Sequence, residues 1–525
     1  MSDQTKVLFI YPPVRLGLPS RYPPMGYLYM AAVLEKAGVS VEILDLNERR
    51  LSFEEVKKEI RSKSFDVVGI GGMTTIYYYL KLVSLYLKEQ YPDIPIIGGG
   101  SVCTSTPETV LKHTGVDVIV AGEGESVITD LVHRLKSKAS LSEIRGIYYK
   151  DENSHIHQTE PRKRIKDISV LPPPAYHLVD MEPYLENNGA KYANSPELDK
   201  IIKTRGLDPV KAKRPFPFYS KRGCPFSCNF CYRNFGRKVS YLNIDNTIEQ
   251  IKAIEQTYNT CHIVFGDELW NVNKKASIAF CNRVVKDNLK FVFSASNGLR
   301  ADLIDRELLL AMKEAGFYRI GVGVESFHNP SLKAMGKKQD AETIYNALKL
   351  VREVGLVSGG AMMLFGYETD SRESMDLNVE KLSELGYVNV PFNIPCPYPG
   401  SYLYTKAVEK GLITDEEDWL MQLADRDISD NMINMSNMSD KELLNIIHYG
   451  QDKLMLNHLK KYNSPYALPF SIIQPLFRKL GVNAMQTLRD IKSGRFFQND
   501  SGQLKGDEYI REEALELLAQ YEKEC

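Results

Sequence analysis

The stretch KRGCPFSCNFCYR, Lys221 to Arg233, sets Cys224, Cys228 and Cys231 in a Cys-x3-Cys-x2-Cys spacing. Thiolates are the preferred protein ligands of iron–sulfur iron, and a tight loop carrying three of them suits three irons of a cubane cluster. No fourth cysteine is nearby, so one iron is left open, and an open metal position is where substrate chemistry takes place. Gly223 and Pro225 suit a backbone that must curl closely around such a cluster. The competing reading is a zinc site. Zinc sites usually show paired Cys-x2-4-Cys elements with four ligands, and this stretch offers three.

The loop follows a short apolar run at residues 217–219, and similar runs recur at 262–265, 290–294, 319–323, 358–365 and 388–394. Helical patterns intervene at 246–256, 305–315 and 341–354. Six strand–helix units predict a curved parallel sheet, a partial (β/α)6 barrel over 216–411, with catalytic groups at the carboxyl ends of its strands. Upstream, runs at 7–10, 41–44, 67–70, 94–97 and 116–120 alternate with helical patterns at 25–36, 76–88 and 106–112. This predicts a doubly wound, Rossmann-like α/β domain over 1–140, with ligands beyond the carboxyl ends of its strands. Residues 141–215 contain a candidate hairpin strand at 145–149, a proline-rich break at 171–174 and a polar, poorly periodic stretch at 186–213. They read as a linker wrapping between domains, part of it mobile. From 412 to 525 the pattern is helical and charged, and predicts a cap over the barrel that sets substrate specificity.

Composition narrows the function. The 525 residues are 43% hydrophobic and 25% charged, with 66 basic against 67 acidic side chains. This is the balance of a soluble globular protein, and it argues against nucleic acid as a partner. No uninterrupted apolar run reaches the ~20 residues of a membrane span. The polar residues 1–6 lead into an apolar run too short for a signal peptide. The expectation is a cytoplasmic chain with reduced thiols, so the eight cysteines read as ligands or core residues. Cys103, Cys261, Cys281, Cys396 and Cys525 lack ligand-like spacing. Cys261 and Cys281 read as core and Cys525 as idle. Cys396 stands beside the predicted barrel mouth, where substrate contact and packing are both open. The nine histidines form no metal pattern. The run Tyr77–Tyr79 either lines a ligand or packs the core, and Lys211–Arg214 reads as a solvated linker.

The cysteine segment, with aromatic Phe230 before its third cysteine, resembles the signature of the radical S-adenosylmethionine superfamily. In that family the open iron chelates the methionine amino and carboxylate groups. An electron from the cluster then cleaves the sulfonium and releases a 5′-deoxyadenosyl radical, while the protein orients the cofactor. Further elements follow in the family's order. Gly266-Asp267-Glu268 resembles the acidic motif after the second strand, so Asp267 or Glu268 is expected to accept hydrogen bonds from the methionine ammonium. Ser296, Asn297 and Arg300 follow the third strand. Gly323-Val-Glu325-Ser326 resembles the G-V-E-S element of cobalamin-linked members, with Glu325 reaching ribose hydroxyls or the methionine amine. The stretch 359–366, with Gly360, resembles the fifth strand that lies along the adenine. Residues 395–400, P-C-P-Y-P-G, resemble the sixth-strand element, with Ser401 replacing threonine. The resemblance covers about 216–405.

The N-terminal part resembles the cobalamin-binding domain that precedes this barrel in the class B subfamily. The matching text is Y-P-P at 11–13, P-P-M-G-Y-L-Y-M-A-A at 23–32, G-G-M-T-T at 71–75, G-G-G-S at 98–101 and G-E-G-E at 122–125. The resemblance implies corrinoid contacts from Tyr11, Pro13, Thr74, Thr75, Gly99, Gly100, Gly122 and Glu123. Strand-end glycines let backbone approach a flat or phosphate-bearing ligand, but their spacing alone does not separate a corrinoid from a nucleotide. One departure matters. Many cobalamin domains carry D-x-H-x-x-G, whose histidine ligates cobalt, whereas Y-P-P-V-R-L-G contains none. Cobalamin is therefore expected without a histidine ligand, its lower face open, water-bound, or approached by Tyr11 or Arg15.

Taken together the resemblance implies a [4Fe–4S] cluster, S-adenosylmethionine and cobalamin as cofactors. It also implies a small-molecule substrate and a reductant such as flavodoxin or ferredoxin. The expected activity is methyl transfer to an unactivated carbon or phosphorus. The same cofactors also serve cyclisation or ring rearrangement, and residues alone do not separate these. A corrinoid sensor or carrier has no use for a three-ligand cluster.

Overall fold

A computed structural model describes residues 4–15, 22–192, 195–233, 235–388, 390–425 and 433–461. Most of the predicted C-terminal cap, with Cys525, lies outside the described residues.

The first domain is a seven-stranded sheet of β1 (Lys6–Tyr11), β2 (Ser40–Asp45), β3 (Val67–Gly72), β4 (Ile96–Gly99), β5 (Val118–Val120), β6 (Ile147–Lys150) and β7 (Ile156–Gln158). Their order is β2-β1-β3-β4-β5-β6-β7, and the first five strands are parallel. Val7–Ile10 of β1 are buried, as a strand covered by helices on both faces must be. The chain leaves β1 toward β2 on one side and returns as β3 on the other. That reversal opens a crevice beyond the carboxyl ends of β1 and β3. The helix predicted over 25–36 is present as Met25–Lys36. The triple Tyr77–Tyr79 is buried in the core under this sheet, which settles its role as packing.

The predicted boundary at 140 cuts this sheet, because β6 and β7 extend it by antiparallel pairing. The polar stretch read as linker is helical. Helices Glu182–Tyr192, Pro196–Arg205 and Pro209–Ala212 lead into the second domain. The middle one starts with Ser195, whose side chain accepts from the Leu198 N–H, and ends at Gly206 in the left-handed region. It buries only Leu198 and Ile202, so its apolar stripe is too narrow to read in sequence.

The second domain is a six-stranded, fully parallel sheet. Its strands are β8 (Pro215–Phe218), β11 (His262–Phe265), β12 (Val292–Leu299), β13 (Phe317–Glu325), β14 (Val357–Leu364) and β15 (Phe392–Asn393), paired in chain order. A short antiparallel pair, β9 (Lys221–Arg222) with β10 (Ser240–Tyr241), carries the cysteine loop between its strands. Strand order without reversal, each strand followed by helix, is the expected (β/α)6 partial barrel. Its strands pack on the helix Lys274–Lys286 through aromatics: Phe293 and Trp270 lie 5.1 and 4.8 Å from the Phe317 ring centroid, and Phe280 of that helix lies 5.6 Å from Phe293. His262, on β11, is buried against the Tyr318 ring (5.6 Å), with its Nδ1 3.1 Å from the Ala212 carbonyl. Burial depresses its pKa to about 3, so it is a neutral packing residue.

Beyond the barrel, helix Glu416–Asp425 returns to the first domain. Its Glu417 accepts from the Tyr77 hydroxyl (3.0 Å) and the Lys81 ammonium (3.0 Å), and lies 2.7 Å from His113 Nδ1. Glu416 accepts from Thr109 (2.5 Å) and Tyr404 (2.9 Å), and Trp419 donates to the Pro397 carbonyl (3.1 Å). The start of the predicted cap thus braces the two domains. Among the described residues no helix is long and apolar enough to cross a membrane.

Candidate active site

Cys224 and Cys228 are half-buried and Cys231 is exposed, and all three are free thiols. The loop is pinned by Asn229: its N–H donates to the Met335 carbonyl (2.9 Å) and its side-chain amide to the Ala334 carbonyl (2.6 Å). Its side-chain oxygen accepts from the Tyr367 hydroxyl (2.8 Å), and its backbone carbonyl accepts from the Leu403 N–H (3.1 Å). Gly223 has φ +96°, and a Cβ there would stand 2.2 Å from the Lys238 carbonyl. The glycine is therefore required where the loop closes on itself. The thiols share one field. Burial raises the Cys224 pKa, and Glu268 and Cys228 raise it further, while Cys231 faces Cys228, Cys224, Glu268 and Glu325. Iron–sulfur iron would relieve this concentration of negative charge, so the residues present fit a cluster. Phe230 packs with the apolar group around Cys396, Leu403 and Trp419. That group also answers for Cys396, which is packed.

The two carboxylates of Gly266-Asp267-Glu268 have separate duties. Asp267 is buried and accepts from the Ser220 N–H (2.6 Å), the Ser220 hydroxyl (2.7 Å) and the Lys221 N–H (3.0 Å). Its oxygens are spent on the turn that launches the cysteine loop. Glu268 faces the thiols, and its Oε2 is buried with no hydrogen-bond partner among the described residues. A buried carboxylate oxygen without a donor is costly, and a ligand ammonium is the kind of donor it lacks. Burial raises the Glu268 pKa against the opposing pull of the Phe235 and Gly223 N–H groups and of Arg164 and Arg233.

Arg300, expected at the cofactor, is committed elsewhere. Its guanidinium lies 3.6 Å over the Phe226 ring, donates to the carbonyls of Lys337 (2.9 Å) and Lys338 (3.1 Å), and pairs with Asp302. It holds the cysteine loop against the barrel. Asn297 donates to the Gly266 carbonyl (2.6 Å). Ser296 lies in β12 and Gly360 in β14. Glu325 ends β13 at φ +64°, a region costly for a non-glycine residue, and pairs with buried Lys337 at 2.6 Å. Lys337 also donates to the Gly323 carbonyl (3.0 Å). The sequence offered no signal for Lys337, which lies on a turn after a short helix.

At the carboxyl ends of β1, β3 and β4 a cleft encloses about 820 Å³, counting its open mouth. Tyr11, Gly99 and Gly100 line it, with Tyr27, Met30 and Ile128 among the apolar walls. No histidine stands among the described residues that line it. Tyr27 is fixed by its hydroxyl, shared between the carbonyls of Gly71 (2.6 Å) and Ile10 (2.9 Å). The glycines divide by purpose. A Cβ on Gly71 would sit 2.1 Å from the Gly99 carbonyl and one on Gly100 2.3 Å from the Gly72 carbonyl, so these two let β3 and β4 close together. Cβ atoms on Gly26 and Gly99 would meet nothing within 4 Å and would project into open space. That space lies at the switch point, where ligands of such sheets bind. Thr74 and Thr75 are buried in the turn after β3, and the Thr75 hydroxyl has no partner among the described residues. Pro13 is buried but off the cleft wall.

Gly122 and Glu123, expected in this cleft, line a different one. Glu123 and Glu125 bracket Arg222 at 3.1 and 2.8 Å, all three nearly inaccessible to solvent. The Arg222 guanidinium also covers the rings of Tyr29 (4.6 Å) and Phe235 (5.3 Å). Arg222 immediately precedes Gly223 and Cys224. The G-E-G-E stretch is thus an inter-domain clasp on the base of the cysteine loop. Ser105, after β4, adds a bond to the Tyr232 hydroxyl (3.0 Å). Through these contacts the strand ends of the first domain meet the mouth of the barrel. Tyr219, at the end of β8, lies within the field of both Tyr11 and Asp267.

The thiol loop at the barrel mouth and the Rossmann crevice are thus strand-end sites on two adjoining domains. Residues 13–132 match the B12 binding domain and residues 219–378 the Radical SAM superfamily. The chain belongs to the cobalamin-binding radical S-adenosylmethionine enzymes, whose cofactors are a [4Fe–4S] cluster, S-adenosylmethionine and cobalamin. An uncharacterised methyltransferase of Pyrococcus horikoshii is 27% identical over 415 residues, 78% of this chain and 84% of the relative. The anaerobic magnesium-protoporphyrin IX monomethyl ester cyclase of Rubrivivax gelatinosus is 24% identical over 423 residues, 79% of this chain and 72% of the cyclase. The fold matches that of the radical S-adenosylmethionine methyltransferase TsrM of Kitasatospora setae with a TM-score of 0.62. That match has 16% identity and covers 79% of this chain and 80% of TsrM.

Proposed function

We propose that this enzyme methylates an unactivated carbon, or a phosphorus, of a small-molecule intermediate. The observation that carries the proposal is the meeting of two strand-end sites, the Tyr11 cleft and the cysteine loop, across a clasped domain interface. When bound, the cluster with S-adenosylmethionine supplies a hydrogen-abstracting 5′-deoxyadenosyl radical, and methylcobalamin supplies the methyl group. The chain's own residues position these partners. Glu268 receives the methionine ammonium with its unmet oxygen. Asp267, Arg300 and Asn229 hold the cysteine loop in shape, and Arg222 locks that loop to the corrinoid domain.

A second reading keeps the cofactors and omits methyl transfer. It is favoured by the similarity to the Rubrivivax cyclase, which spans both domains. One experiment separates the two. The anaerobically reconstituted protein is supplied with S-adenosylmethionine carrying a CD3 methyl group, cobalamin and mixtures of candidate substrates. Mass spectrometry of a methylated product shows a gain of ~17 Da. A product of unchanged carbon count would establish the cyclase-type reading instead.

A further inference from the structure

Two stretches far apart in sequence, 160–168 and 231–241, run together over the cysteine loop. The Ser240 hydroxyl donates to the Ile165 carbonyl, and the Tyr241 N–H donates to the Lys166 carbonyl (3.3 Å). Arg164 donates to the Arg222 carbonyl (3.0 Å), and the Cys224 N–H donates to the Gly236 carbonyl (3.3 Å). Between them these stretches carry seven basic residues and only two acidic ones, Glu160 and Asp167, in a chain whose charges otherwise balance. Arg162, Lys163 and Arg233 line an open cleft of about 990 Å³ whose floor includes Tyr232, the residue after Cys231. Lys163, Lys166, Arg237 and Lys238 are exposed, and none forms an ion pair with a described residue. This cleft shares no lining residue with the one at Tyr11.

We propose that this basic surface docks an acidic one-electron carrier protein, which delivers its electron to the site at Cys224, Cys228 and Cys231. The proposal rests on the reading of those cysteines as cluster ligands. One electron leaves the carrier and one enters the iron–sulfur site, with no bond made and no proton moved. Electron transfer requires the two redox centres to approach closely, and Cys231, the exposed thiol, stands two residues from Arg233. Unpaired surface cations beside it steer an anionic partner into that orientation and make association sensitive to salt. A nucleic acid would meet the same charge, and Tyr148, Tyr232 and Phe235 also line the cleft. The position of the cations beside the exposed Cys231 thiol favours a partner that exchanges electrons there, and a transfer-RNA probe is the competing arm of the test.

The test uses the reconstituted holoenzyme with a flavodoxin as probe. Binding is measured anaerobically by calorimetry at several salt concentrations, for the wild type and for the K163E/K166E/R237E/K238E variant. The expected result is at least tenfold weaker binding and a flattened salt dependence in the variant. The neutral counterpart K163Q/K166Q/R237Q/K238Q should show a smaller loss in the same direction. Cleavage of S-adenosylmethionine driven by reduced flavodoxin should fall at least tenfold, while cleavage driven by dithionite stays unchanged. Unaltered flavodoxin binding in both variants overturns the proposal. So does a loss of affinity confined to a transfer-RNA probe, which would make the patch a nucleic-acid surface. Should the wild type cleave nothing with dithionite, the cluster reading itself fails, independently of docking.

Discussion

At the scale of single residues, adjacent carboxylates in one motif do opposite work. Asp267 has three donors within 3.0 Å, whereas one oxygen of Glu268 has none. Glu268→Gln should therefore weaken S-adenosylmethionine binding on the order of tenfold or more, the loss of a charge-assisted hydrogen bond worth ~1.5–3 kcal/mol, with iron content intact. Asp267→Asn should instead lower the iron retained after reconstitution, because the turn into the cysteine loop loses its acceptor. Equilibrium binding together with iron and sulfide quantification checks both. Lys337 provides another case. Its loss in Lys337→Met leaves Glu325 buried without its cation, which should cost ~3–5 kcal/mol in urea unfolding. The double variant Glu325→Gln/Lys337→Met should recover most of that. The motif text located Glu268 and Glu325 but not their partners, since a hydrogen-bond acceptor's neighbours come from other strands and turns.

At the scale of elements, the clasp and the brace decide how the domains are held. Arg222, between Glu123 and Glu125, joins a strand end of one domain to the cysteine loop of the other. Glu125→Gln and Arg222→Met should each be strongly destabilising, and a double-mutant cycle should show coupling well above the ~0.5 kcal/mol expected of independent sites. Residues 122–125 were legible as a strand-end motif but not as a clasp, because charge pairing across domains leaves no periodicity in either segment. Asp45 tests another join. It accepts from the Tyr184 hydroxyl at 2.6 Å, and burial raises its pKa from 3.8 to about 6. Folding thus favours its protonated form. The stabilisation is fully present below pH 3.8 and is lost as pH rises through about 6. The shift corresponds to roughly 3 kcal/mol. Asp45→Asn keeps the helix cap. It should therefore lose less melting temperature between pH 5 and pH 8 than the wild type does.

At the scale of the whole molecule, strand positions in both sheets were legible because buried parallel strands read as short apolar runs between amphipathic helices. The run 262–265 coincides with β11, and 7–10 lies inside β1. The connection between the domains was not legible, because its helices are polar and bury few residues. Nor was the return of helix Glu416–Asp425 to the first domain, where its polar Glu416 and Glu417 make the contacts. The cysteine loop was legible as one short loop, since its three thiols lie within eight residues between β9 and β10. The central claim is that this loop holds a cluster that cleaves S-adenosylmethionine. Quantification of 5′-deoxyadenosine from the anaerobically reconstituted, dithionite-reduced protein tests it most directly. The wild type should form 5′-deoxyadenosine, and Cys224→Ala, Cys228→Ala and Cys231→Ala should each form none. Full formation by any one of the three variants would contradict the account.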